Sequence, residues 1–177
     1  MKLHYILLVI FIILLGCNSK QNDTQATSYQ PEKYKEISHE ILTEMMLVKG
    51  EVVYVPVYSE IFHTDVKRKV QLSATLSIRN TSIESEIVVS TVDYYDTHGN
   101  LLKHYLTSPL QLKPLQTKIY VVEYKENKGG IGANFIVEWA SEKVVSEPII
   151  QAVMIGGSSS LGISFVCDGK VIQYTNE

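Results

Sequence analysis

Between Val70 and Ile78 every second side chain is apolar: Val70, Leu72, Ala74, Leu76 and Ile78 alternate with Gln71, Ser73, Thr75 and Ser77, and Arg79 follows. Successive side chains of a strand point to opposite faces, so this stretch suits a sheet with one face in a core and the other in water. No helix satisfies the same pattern, because its apolar positions would spread around the whole cylinder. Period two recurs along most of the remaining chain. Val53, Val55 and Val57 alternate with Tyr54, Pro56 and Tyr58, and the proline predicts an edge or a bulge at that point, since it cannot donate to the ladder.

Further strands are expected over Glu86–Asp96, Leu101–Leu106, Lys118–Tyr124, Asn134–Ala140, Pro148–Ile155, Gly162–Cys167 and Lys170–Tyr174. Phe135, Val137 and Trp139 would share one inward face. The loop Thr97-His98-Gly99-Asn100 reads as a hairpin connection, with glycine supplying positive φ, and Asp168-Gly169 is the dipeptide of a type I′ hairpin turn. About seven or eight short strands with turn signals between them predict an all-β, antiparallel sandwich. A short helix precedes it: Tyr34, Ile37, Ile41 and Met45 fall at helical spacing within Glu32–Leu47, and Glu36, Glu40 and Glu44 favour packing on the domain over contact with an anionic lipid surface.

The start of the chain has a different character. Lys2 precedes an apolar run from Tyr5 to Leu15, too short for the ~20 residues that a spanning helix needs, and Leu14-Leu15-Gly16-Cys17 closes it. This layout is that of a cleaved export signal. The closing four residues resemble the bacterial lipobox, and the resemblance implies a lipid on Cys17, cleavage before it and a mature protein that begins there. An ordinary signal peptide with an incidental cysteine is the alternative. Residues 18–31 are almost wholly polar and read as a tether. The expected organisation is therefore signal peptide 1–16, lipidated cysteine and tether 17–31, helix and connection 32–50, and sandwich 51–177. The protein is expected at the cell envelope, held to a membrane outside the cytoplasm by the lipid on Cys17. Which membrane stays open.

Sixteen lysines and arginines against nineteen acidic residues, interspersed without basic blocks, give no footprint for nucleic acid. Of the two cysteines, a lipidated Cys17 leaves Cys167 without a partner in the chain, so an exported domain would rest on its core alone.

Several blocks resemble a bacterial lipoprotein family defined only as a domain of unknown function. They are Val-Tyr-Val-Pro-Val-Tyr-Ser (53–59), Thr-Leu-Ser-Ile-Arg-Asn-Thr (75–81), Val-Asp-Tyr-Tyr-Asp-Thr (92–97) and Gly-Gly-Ile-Gly-Ala-Asn-Phe-Ile-Val-Glu-Trp (129–139). The resemblance runs from about residue 50 to the end and implies no known activity, substrate or cofactor. A looser likeness to immunoglobulin-like modules of bacterial surface proteins sharpens the expected sandwich to an immunoglobulin-like one.

Chemical motifs give little. Gly129-Gly130-Ile131-Gly132 opens a strand, so it lacks the helix N-terminus of a phosphate loop and reads as a tightly turning or flexible connection. Gly156-Gly157-Ser158-Ser159-Ser160 lacks a serine hydrolase's nucleophile elbow and reads as a loop. His63 with Asp65, or Asp93 and Asp96 with His98, would meet on a metal only through the fold, and surface loops are the plainer reading. Asp168 would raise the pKa of Cys167, so burial of that thiol is expected over reactivity. No catalytic residue, metal site or cofactor is assigned. The recognition candidates are Tyr95, Asp96, Gly129, Gly130, Gly132 and Asn134, placed where sandwich connections carry binding, with Tyr54, Tyr58, Tyr120 and Tyr124 as further aromatics that could join an exposed cluster. The expected function is a non-catalytic module that binds a protein or envelope component; an envelope hydrolase, or a metal or small-ligand binder, is the alternative.

Overall fold

The computed structural model describes residues 33–158 and 161–175, so Cys17, the signal and the tether lie outside the described residues. In chain order the elements are β1 (Lys35–Glu36), α1 (His39–Glu44), β2 (Lys49–Val57), β3 (Glu60–Phe62), β4 (Lys69–Gln71), β5 (Ser73–Arg79), β6 (Ile87–Tyr95) and β7 (Leu101–His104). There follow β8 (Leu110–Leu112), β9 (Thr117–Val122), a 3-10 turn (Asn127–Gly129), β10 (Ala133–Ser141), β11 (Ile149–Ser158), β12 (Leu161–Asp168) and β13 (Lys170–Tyr174). One sheet has the order β1-β8-β6-β10-β2-β13, with β7 on the same flank of β6 as β8; a second has the order β12-β11-β5-β9; β3 and β4 form a separate hairpin.

The alternating residues do what their pattern predicts. Val70, Leu72, Ala74, Leu76 and Ile78 are all buried, as are Val53, Val55 and Val57. Phe135 stands beside Val55 and Val137 beside Val53, and both sheets contribute to one apolar cluster. Each fully buried side chain of this size favours the fold by about 2–3 kcal/mol, so the cluster is what an antiparallel sandwich requires. Pro56 also fits: β13 begins opposite Tyr54 and runs away from the proline, so β2 has β10 alone as its neighbour there.

Three local expectations are corrected. The helix is confined to His39–Glu44, because Lys35–Glu36 pairs with β8 and Ile37 N–H donates to the Pro109 carbonyl (2.9 Å), which draws the first part of the stretch into the sheet. Ser38 then caps the helix by accepting from Ile41 N–H; the helix buries none of its own residues, and Ile41 is half exposed. Asp168-Gly169 makes no hairpin. β12 pairs with β11 and β13 with β2, so the chain crosses there from one sheet to the other. Gly169 N–H donates to the Ile150 carbonyl (2.8 Å), and a Cβ on Gly169 would fall 2.6 Å from Val53 Cγ1, which leaves no room for a side chain at the crossing. Gly156, Gly157 and Ser158, expected in a loop, are the last residues of β11. No helix among the described residues is long and apolar enough to cross a membrane.

Candidate recognition surface

Which of two adjacent tyrosines enters the core is decided by a bulge. Along β10, Glu138 pairs with Thr91 but Trp139 pairs with Val89, so Ser90 is an extra residue in β6. Before it Ile87 and Val89 face inward; after it the inward positions are Val92 and Tyr94. Without this one-residue shift the first parity would carry Asp93 and Tyr95 into the core. Tyr94 is instead 3% exposed, packed 4.9 Å from the Phe135 ring, and Tyr95 is half-buried on the opposite face.

Directly after Tyr95 the chain turns, and Asp96 makes the turn. Its Oδ1 accepts from His98 N–H and Asn100 N–H (both 2.8 Å), and its Oδ2 accepts from the Asn100 side-chain amide (2.9 Å). These donors, with Asn100 foremost, hold the carboxyl below its ordinary range. Both oxygens of this recognition candidate therefore serve the hairpin. Gly99 takes φ 79°, as its place in the loop requires.

Thr97 joins this hairpin to the glycine loop. Its N–H and its hydroxyl both donate to the Gly129 carbonyl (2.9 and 2.8 Å), and its Oγ1 accepts from Gly132 N–H (2.9 Å). Gly130 has φ 78° and ψ −157°, a region open essentially to glycine alone. That geometry sends its carbonyl to Ser59, whose N–H and Oγ both donate to it (3.1 Å each). Asn134 is the cross-strand partner of Tyr95. All six sequence candidates thus lie on two segments that the fold joins into one surface at one end of the sandwich, and the glycine run is a tight turn.

Beneath that surface lies an aromatic layer. Tyr105 packs against Tyr120 (5.2 Å) and Phe135 (5.6 Å), and Lys103 Nζ sits 4.3 Å over the Tyr105 ring. Burial pushes the Tyr94 and Tyr105 hydroxyls up to about 12, with Glu126 nearby adding to both shifts. The Tyr94 hydroxyl is buried without a hydrogen-bond partner; Ser59 lies close enough to oppose the shift but forms no bond of normal geometry with it.

The remaining candidates stay apart. Asp65 binds Lys67 N–H, Arg68 N–H and the Arg68 guanidinium, so it closes its own turn and has no bond to His63. Asp93 pairs with His104 Nδ1 (2.8 Å) across β6 and β7, while His98 lies in the Asp96 turn. No group of three or more metal-ligating side chains occurs among the described residues. Tyr120 is buried, Tyr58 packs edge-on against Phe165 (5.7 Å) and Tyr124 is exposed, so these tyrosines form no single patch. Cys167 is half-buried, its thiol raised by burial and then by Asp168.

Sequence reasoning missed buried polar side chains at the opposite end, Glu51 and Asn80 foremost. Glu51 extends the inward row of Val53, Val55 and Val57; it accepts from Trp139 Nε1–H (3.1 Å) and leaves Oε1 unpartnered. Burial, helped by Glu147, raises its carboxyl above the ordinary 4.5. Asn80 donates from Nδ2 to the carbonyls of Ser85, Leu112 and Lys113, and its Oδ1 accepts from Ser82 N–H. Extending the alternation backwards from Val53 would have placed Glu51 inside; nothing local distinguishes Asn80 from an ordinary turn residue.

Comparison with known proteins adds a family and no activity. No curated protein matches the chain. The crystal structure of the Thermotoga maritima protein designated 1070 is similar at 9% identity and a TM-score of 0.39, over 68% of this chain and 92% of that one. Residues 50–172 match a family model described as a protein of unknown function (DUF3124), and the chain belongs to that family.

Proposed function

We propose that this protein is a lipid-anchored, non-catalytic binding module of the bacterial cell envelope, tethered through Cys17 and recognising a protein or envelope component with the end of the sandwich that carries Tyr95 and the Gly129–Asn134 loop. The observation that carries this reading is the Thr97 clasp, which fixes two connections as one surface, so an aromatic contact there costs little ordering on binding. Tyr95 is the anchor, because Asp96 is spent on its turn. Truncation of such an anchor to alanine weakens binding by more than ~1 kcal/mol. Crosslinking in intact cells tests this: Tyr95→Ala should lower partner capture and leave the melting temperature nearly unchanged. Loss of folding would make the tyrosine structural, and unchanged capture would put the surface elsewhere. For the anchor, Cys17→Ser should leave the protein uncleaved or release it from the detergent phase; a variant that matures and partitions like the parent would refute lipidation.

The hydrolase reading stands second, on the His104–Asp93 pair. The His104 side chain is largely exposed and that of Asp93 is mostly covered, so the pair sits at the surface of the sheet.

A further inference from the structure

The connection from β9 to β10 leaves the small sheet at its edge and passes to the large sheet beside β7. Beneath it lies a cavity of ≈ 200 Å³ lined by Tyr94, Leu102, Lys103, Lys125, Glu126 and Lys128, room for about six waters' worth of ligand at ~30 Å³ each. A bulge shapes one wall: Tyr94 pairs with Lys103 and Tyr95 with Leu101, so Leu102 is the extra residue of β7. Three lysines and one glutamate line this small volume, with Lys103 Nζ resting on the neighbouring Tyr105 ring. None of Lys103, Lys125 and Lys128 has an ion-pair partner among the described residues, whereas Lys49, Arg68 and Lys69 each have one. Uncompensated like charges around one cavity repel each other and favour an anion between them.

From this we infer that the cavity binds a small hydroxylated phosphate ester, its phosphate facing the three lysines and a hydroxyl facing Glu126. A phosphate monoester carries about −1.5 to −2 near pH 7, which matches the excess of positive groups better than a single carboxylate does. Glu126 disfavours a second anionic group and accepts from a hydroxyl.

Tyr94 closes the inner side of the cavity. Its side chain is more than nine-tenths buried, lines the cavity, and ends in a hydroxyl with no partner. The phenol stays neutral through the physiological range, so it is a donor without an acceptor. Over it lies the Asn127–Gly129 turn, where a Cβ on Gly129 would fall 2.0 Å from the hydroxyl oxygen. The turn that Thr97 holds through the Gly129 carbonyl covers the hydroxyl there, so Tyr94 forms a buried wall of the cavity.

This inference deepens the binding-module reading and rests on it, since the same Gly129 turn borders both sites. Two sources offer the chemistry: a soluble phosphate ester, and a glycerophosphate headgroup of a lipid. The test titrates the full-length protein in detergent with glycerol 3-phosphate, with glycerol as the uncharged control, and separately measures its binding to phosphatidylglycerol and phosphatidylcholine vesicles. Saturable binding of glycerol 3-phosphate but not glycerol is expected, weakened about tenfold by joint Lys125→Glu and Lys128→Glu and restored by joint Lys125→Arg and Lys128→Arg. Binding confined to phosphatidylglycerol vesicles, with the same dependence on the lysines, supports the inference with lipid as the source. Absence of binding in both arms, or binding indifferent to Lys125 and Lys128, overturns it. If phosphate fails while Tyr95→Ala still lowers partner capture, the pocket is refuted and the recognition surface stands.

Discussion

The two ends of the sandwich use polar side chains in opposite ways. At the end where β2 begins and β10 finishes, Asn80 and Glu51 are carried into the interior, and their bonds tie separate elements together. At the other end Asp96 and Thr97 stay near the surface and shape two connections. The first end spends its polar groups on folding. The second holds loops in place and leaves a charged cavity beside them. Buried polar groups tied to the fold are poor guides to recognition, and side chains that hold exposed connections in place are better ones.

The sharpest way to break this comparison is Asn80→Ala. It leaves the Leu112 carbonyl and its neighbours without their donor in a buried corner, and should destabilise by about 3 kcal/mol, read as a shift in the denaturation midpoint at unchanged slope. A loss within error would mean that the corner holds without its knot. Trp139→Phe comes next. It removes the Glu51 donor and some core volume together, for about 2 kcal/mol, measured in the same way. Thr97→Val deletes one donated and one accepted bond of an exposed residue, so about 1 kcal/mol is expected, with faster amide exchange confined to residues 129–132.

The smallest effect is one of pH, and its sign separates the two ends. Glu51 has a raised pKa in the folded state, so the native protein holds that proton more tightly than the unfolded chain. Its contribution is complete below 4.5 and is lost as pH rises through the folded value. Asp96 is depressed below 3.8, so its contribution is present above that pH and is lost as pH falls through the folded value. Glu51→Gln should flatten the decline above 4.5 in melting temperature against pH, and Asp96→Asn should flatten the fall on the acid side. A Glu51→Gln curve parallel to the parent's would contradict the assignment.

The alternation that makes this chain a sandwich is legible because burial on one face of a strand leaves a period-two trace, and Val70–Ile78 and Phe135–Trp139 carry it in full. Partner choice leaves no such trace. Asp168-Gly169 is equally compatible with a hairpin and with a crossing between sheets, and only the placement of β13 beside β2 decides. The Ser90 bulge is invisible for the same reason: Ile87, Val88 and Val89 are apolar at both parities and Ser90-Thr91 polar at both, so the first half of the strand does not say which tyrosine is inside. The candidate surface was legible as two turn-rich segments. Their union through Thr97 was not, because it depends on a contact across more than thirty positions of chain. The charged cavity was hidden too, since Lys103, Lys125 and Lys128 are ordinary surface residues until β7 and the β9–β10 connection meet.

The central claim is that recognition belongs to the Thr97 end and folding to the Asn80 end. One measurement addresses both halves: crosslinked capture of a partner in intact cells, normalised to folded protein, for the parent, Tyr95→Ala and Asn80→Ala. The account predicts that Tyr95→Ala loses capture at an unchanged melting temperature, while Asn80→Ala lowers the melting temperature and keeps capture per folded molecule. Capture that survives Tyr95→Ala intact, or a Tyr95→Ala protein that no longer folds, would contradict it.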